Sequence, residues 1–134
     1  MPVRIVLSTL VSVIGAAACE CVLPPPKIEM KHSDVVFRGI ITDVNDKEIV
    51  FAVQRVYKGQ VFATFPMPNV RFDADCAPGF RRRLVKVGNE LFVYARWEPF
   101  FSKGPVTNVC SRTRLIETAS EDLGQLGRGR KPTR

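Results

Sequence analysis

The clearest alternation of apolar and polar positions lies in the first half of the chain. Residues 34–44 (DVVFRGIITDV) are rich in Val and Ile, and Gly39 within them marks a bulge or bend. Residues 48–57 (EIVFAVQRVY) place Ile49, Phe51 and Val53 on one face, and Asn45-Asp46-Lys47 separates the two runs. A period of two on both sides of a polar tripeptide predicts a β-hairpin over 35–57. Lys58-Gly59 turns the chain again, after which residues 60–65 and 69–72 read as shorter strands broken at Pro66 and Pro68. A loop through Cys76, Ala77, Pro78 and Gly79 leads to a strong strand at 90–97 (ELFVYARW), and residues 105–110 form a further one after a loop at 98–104. Ahead of the hairpin, Pro24-Pro25-Pro26 imposes an extended approach, and residues 27–32 have room for one or two helical turns before Ser33-Asp34.

The period changes only near the end. Over 114–126, Leu115, Ala119, Leu123 and Leu126 fall on one helical stripe, which predicts a helix packed on the sheet. Five or six short antiparallel strands, one terminal helix and no βαβ alternation predict a mainly β domain, a small closed or nearly closed barrel for which the OB-fold is the commonest size match. The length of 134 residues accommodates one such domain. An apolar share of 46% and a charged share of 25% are those of a globular chain and exclude disorder throughout.

Charge and the first residues change the picture. The net charge of +7 suggests a nucleic-acid partner until it is located: Arg128, Arg130, Lys131 and Arg134 carry four charges in a Gly/Pro-containing stretch, and Arg4 carries one more, which leaves +2 for 19–127. Residues 128–134 are therefore expected to be a flexible basic tail that can be removed without harm to the fold. Arg4, the apolar run from Ile5 to Ile14 and Ala16-Ala17-Ala18 have the form of a secretory signal over 1–18, and no later run is long or apolar enough to span a membrane. Cleavage there exposes Cys19 as the first residue. The same position allows a lipid-anchored alternative, but Ala16 stands where a lipobox usually has Leu.

Four cysteines, Cys19, Cys21, Cys76 and Cys110, in an exported chain predict two disulfides, with three connectivities open. A zinc ribbon lacks ligand spacing, since Cys76 and Cys110 stand alone and the only histidine is His32. A redox C-x-C pair at Cys19 and Cys21 would leave the two distant cysteines without partners. The chain contains no H-E-x-x-H, G-x-S-x-G or S-x-x-K motif and no phosphate loop, so an enzyme is not expected. Asp73 and Asp75 form a D-x-D that reads as solvated, and Arg81-Arg82-Arg83 reads as an exposed loop because no aromatics interleave with it. Phe51, Tyr57, Phe62, Phe65, Phe72, Phe92 and Tyr94 read mostly as core, whereas Phe100-Phe101 cannot both point inward and mark one exposed contact.

Five segments, CECVLPPP from Cys19, HSDVVFRGIITDV, RVYKG, NELFVYAR and TNVCSRTRLIETASEDLGQLG, resemble in order and spacing the N-terminal inhibitory domain of the tissue inhibitors of metalloproteinases, in its shorter bacterial-type form. The resemblance spans essentially all of 19–127. It implies a netrin-like OB-fold with bridges Cys19–Cys76 and Cys21–Cys110, a secreted protein, and an extracellular zinc metalloprotease as partner. In that family the α-amine and carbonyl oxygen of the first cysteine chelate the protease's catalytic zinc. Carried over by position, Cys19 is the chelator, Glu20 enters the specificity pocket, Cys21, Val22 and Leu23 continue the ridge, and Asp73, Ala74 and Asp75 flank it. The chain would need no cofactor and no metal of its own. It departs from the family in having Glu20 where a small polar residue is usual, Lys31 in place of an additional cysteine, and no second domain.

Overall fold

The computed structural model describes residues 21–70, 78–98 and 104–134. Helix α1 (Pro26–His32) begins on a proline, whose missing N–H is no loss in a first turn, and Ser33 ends it by donating its hydroxyl to the Glu29 carbonyl at 2.8 Å. Strands β1 (Val35–Val44) and β2 (Glu48–Lys58) form the predicted hairpin. Its turn is made by a side chain: Asn45 Oδ1 accepts from the N–H groups of Lys47 and Glu48 at 2.9 and 3.0 Å. The register shifts between Arg38 and Gly39, where a Cβ would stand a tight 3.2 Å from the Ala52 carbonyl oxygen, so the bend there favours a residue without a side chain.

β3 (Thr64–Pro68) pairs with β2, β4 (Glu90–Trp97) pairs with β1, and β5 (Pro105–Val106) and β6 (Arg114–Leu115) both pair with β4. The sheet order is thus β3-β2-β1-β4-β5. Its two ends approach each other, Gly104 lying so close to Pro68 that a Cβ would be 3.1 Å from the ring, and the sheet is a nearly closed barrel of OB-fold type. The interior is filled by Phe37, Ile41, Ile49, Phe51, Met67, Leu91 and Val93, all buried, with Phe37 edge-on to Phe51 and Phe65 at ring distances of 5.2 and 5.4 Å. Burying each such side chain contributes about 1.5–3 kcal/mol before entropy is counted. A second cluster lies on the outer face, where Met30 of α1 and Ala119, Leu123 and Leu126 cover Val36, Phe92 and Tyr94.

Several expectations are corrected, among them the strand over 105–110, which ends at Val106 before a turn at 109–110. The third strand is 64–68, not 60–65, and it contains both prolines; β3 ends the strand order, where a missing N–H is tolerated. The stripe over 114–126 is not one helix. Leu115 pairs with Leu91 from β6 and packs on the interior cluster, a 3-10 turn follows at Ile116–Thr118, and only α2 (Ser120–Leu126) is helical. Residues 128–134 are not a free tail: Arg130 exchanges two backbone hydrogen bonds with Val56 at 2.8 Å, and Thr133 donates to Val61 and accepts from Ala63 at 2.9 and 3.0 Å. Pairing with β3 stops at Ala52, so the rest of β2 offers unpaired groups that the chain satisfies this way. Phe62, expected in the core, is 48% exposed. No helix among the described residues is long and apolar enough to cross a membrane.

Candidate functional site

Cys21 is bridged to Cys110 with the Cα atoms 5.0 Å apart, which ties the segment before α1 to the loop between β5 and β6. The polar residues around Cys110 build its support. Asn108 Oδ1 accepts from the Cys110 N–H at 2.8 Å, and Arg81 donates twice to the Val109 carbonyl, at 2.9 and 2.7 Å. Three hydroxyls form a chain beneath, Ser111 to Thr107 at 2.7 Å and Thr107 to Thr113 at 2.8 Å, and Thr113 closes it on the Tyr94 carbonyl at 3.2 Å. With each hydroxyl donating once, the assignment is self-consistent, and Thr113 Oγ1 still accepts the Tyr94 N–H at 3.0 Å.

Behind the bridge sits a buried ion pair. Arg112 donates to Asp122 through Nε at 2.8 Å and Nη2 at 3.1 Å, and the Tyr94 hydroxyl donates to the same carboxylate at 2.6 Å. Burial alone would push the Asp122 carboxyl up, but the hydrogen bonds from Arg112 and Tyr94 outweigh it and hold the group below its ordinary range. Burial, and then the Asp122 hydrogen bond, push the Tyr94 phenol up, while the Asp122 hydrogen bond pushes the Arg112 guanidinium up in spite of desolvation. Asp122 is therefore ionised and fully paired. Arg112 Nη1 also reaches the Pro24 carbonyl at 3.3 Å, so this cluster joins α2 and β4 to the N-terminal segment.

Between Cys21 and Pro24 the chain carries Val22, 89% exposed, and Leu23, 40% exposed. A groove of about 190 Å³ lined by Val22, Pro24, His32, Arg96 and Asn108 lies on one side. One of about 440 Å³ lined by Leu23, Arg81, Arg83, Arg114 and Leu115 lies on the other. The result is an apolar ridge on a backbone fixed from below.

Of the ridge residues expected from sequence, Cys21, Val22 and Leu23 are described, three consecutive residues anchored at one end by the bridge to Cys110. Cys19, Glu20, Asp73, Ala74 and Asp75 lie outside the described residues, as do the Cys19–Cys76 bridge, the 1–18 leader and Phe100-Phe101. The Ser33-Asp34 pair has a structural explanation: Ser33 closes α1, and Asp34 accepts the Trp97 N–H at 2.7 Å. Arg81, Arg82 and Arg83 are exposed as expected, and Arg81 in addition secures the turn at Cys110. Sequence reading missed Arg112 and Asp122. The available signal was an acid at position 122, three residues after Ala119 and four before Leu126, on the face of a helix that is otherwise apolar. Among the described residues no group of three or more His, Cys, Asp or Glu could hold a metal ion. No protein-family model matches the chain, and no curated protein matches it in sequence.

Proposed function

We propose that the protein is a secreted, netrin-like inhibitor that blocks a zinc metalloprotease by inserting its N-terminal ridge into the active site, and that it binds rather than catalyses. The observation that carries this reading is the pair Val22 and Leu23, adjacent apolar side chains exposed directly after a bridged cysteine. A partner that covers both gains their burial from water. The preordered backbone supports the reading, because little conformational entropy remains to be lost on docking. The disulfide suits an oxidising compartment outside the cytosol.

In this mechanism the zinc is the protease's own. The Cys19 α-amine, with an ordinary pKa of about 8, is neutral in a useful fraction at neutral pH and offers a lone pair to the metal, while the Cys19 carbonyl oxygen takes a second position. Glu20 would enter a mostly apolar pocket near the protease's catalytic carboxylate, at a cost in desolvation and repulsion of a few kcal/mol. Inhibition constants measured against a panel of zinc proteases test this. Glu20→Thr should inhibit at least about tenfold better than the parent, and one Ala inserted before Cys19 should abolish inhibition by displacing the amine. Equal inhibition by the extended form, or none by any form, overturns the reading. An acylated Cys19 in the intact mass of the exported protein would put a lipid-anchored binding module in its place.

A further inference from the structure

The outer face of the sheet is divided between two environments. The helices cover Val36, Phe92 and Tyr94 at one end, while at the other a groove of about 640 Å³ opens beside the docked residues 130–134. Arg38 of β1 and Arg55 of β2 are directly paired in the sheet and line this groove together with Lys131 and Arg134. Among the described residues Glu90 is the one acidic side chain lining it, and its carboxylate is engaged by Arg38. Arg55, Lys131 and Arg134 form no ion pair with any described acidic side chain. The backbone bonds at Arg130 and Thr133 thus hold Lys131 and Arg134 beside Arg38 and Arg55, so that among the described residues basic side chains outnumber acidic ones around this concavity, an arrangement that favours a bound anion.

The remaining lining says what kind of anion. Ile40, Val53, Ala63 and Pro132 give the groove aliphatic surface, and Gln54 adds an amide. No aromatic ring among the described residues lines it, so those residues offer no platform on which a nucleobase could stack. A sugar chain would meet the cations but bring no apolar side chains to the aliphatic wall. A peptide that alternates carboxylates with small aliphatic side chains satisfies both. We propose that this groove, which shares no residue with the Cys21–Leu23 ridge, binds an acidic, partly aliphatic segment of a partner protein. The proposal stands apart from protease inhibition, since neither Cys19 nor the ridge takes part.

Fluorescence anisotropy of a short labelled peptide in which Glu alternates with Ala and Val, titrated with the oxidised full chain, tests it. The peptide should bind, its Gln-for-Glu counterpart should not, and binding should weaken at higher ionic strength. The double variant Lys131→Glu/Arg134→Glu should lose roughly tenfold or more in affinity, and Arg55→Gln, which leaves residues 128–134 untouched, should also weaken binding. Lys86→Glu/Arg128→Glu, an equal change in net charge at exposed positions outside the grooves, should stay within about twofold of the parent. Equal loss in both double variants reduces the effect to overall charge and overturns the proposal, as does failure of the acidic peptide to bind. A heparin fragment or an oligothymidylate that binds more tightly than the peptide and shows the same loss with Lys131→Glu/Arg134→Glu would assign the groove to another polyanion and overturn it equally.

Discussion

Asp122 shows how one residue can join parts of the chain far apart in sequence. Its carboxylate is fully buried and accepts from Arg112 and Tyr94, and Arg112 in turn holds the Pro24 carbonyl. Removing one member of such a pair leaves a buried charge unanswered, so Arg112→Met should lower stability by about 3–5 kcal/mol in urea denaturation. The pH dependence has a definite sign. Because the folded state lowers the Asp122 pKa, its contribution is complete above the unfolded value of about 4 and is lost as the pH falls through the folded value. The stability gap between the parent and Asp122→Asn should therefore narrow below about pH 4. Tyr94 behaves oppositely: its raised pKa makes its contribution complete below about pH 10 and lost above, so the gap to Tyr94→Phe should narrow in alkali. Urea midpoints measured across pH for the three proteins check both limbs, and gaps that stay constant would show that these groups do not couple ionisation to folding.

At the level of elements, the hairpin was legible because two independent signals agreed, a period of two on both sides and a turn residue with a side chain able to cap it. The docking of 128–134 was not legible, because no residue in that stretch requires it. The demand comes from the mismatch between eleven residues in β2 and five in β3, and it exists only after those strands pair. The same competition for β4 drew Arg114 and Leu115 out of the helical stripe. Truncation after Gly127 removes four backbone hydrogen bonds. Their loss should lower Tm by a few degrees, the size of effect that about 1 kcal/mol produces in a domain of this length. Calorimetry of the truncated protein measures this, and an unchanged Tm would mean that the pairing adds nothing. Gly59 stands at φ +80° with the place of a Cβ only 2.5 Å from the Asp34 carbonyl oxygen, so Gly59→Ala should be destabilised more than an ordinary loop substitution.

For the whole molecule, a barrel class and an even cysteine set could be read from the sequence, and a ridge at Cys21, Val22 and Leu23 was implied by resemblance, whereas the exposure of Val22 follows only from the fold. Charge was legible as a total but not as a distribution. Lys131 and Arg134, which looked detachable in the linear count, return to the sheet beside Arg38 and Arg55. The Cys21–Cys110 bridge encloses a separation of 89 residues, and chain entropy assigns such a loop about 4–5 kcal/mol. Cys21→Ser/Cys110→Ser should keep the β-sheet circular dichroism at low temperature while unfolding at a clearly lower urea concentration than the parent. A midpoint equal to the parent's would mean that the bridge fixes only the ridge and not the fold. The bridge also governs how the protein bears load. Tension applied ahead of Cys21 passes through sulfur to position 110 and bypasses α1, the hairpin and β4, which lie inside the covalent loop. A molecule stretched from its two ends should therefore keep the loop from 21 to 110, about 300 Å of contour length, in reserve until a reductant has cut every bridge that closes it.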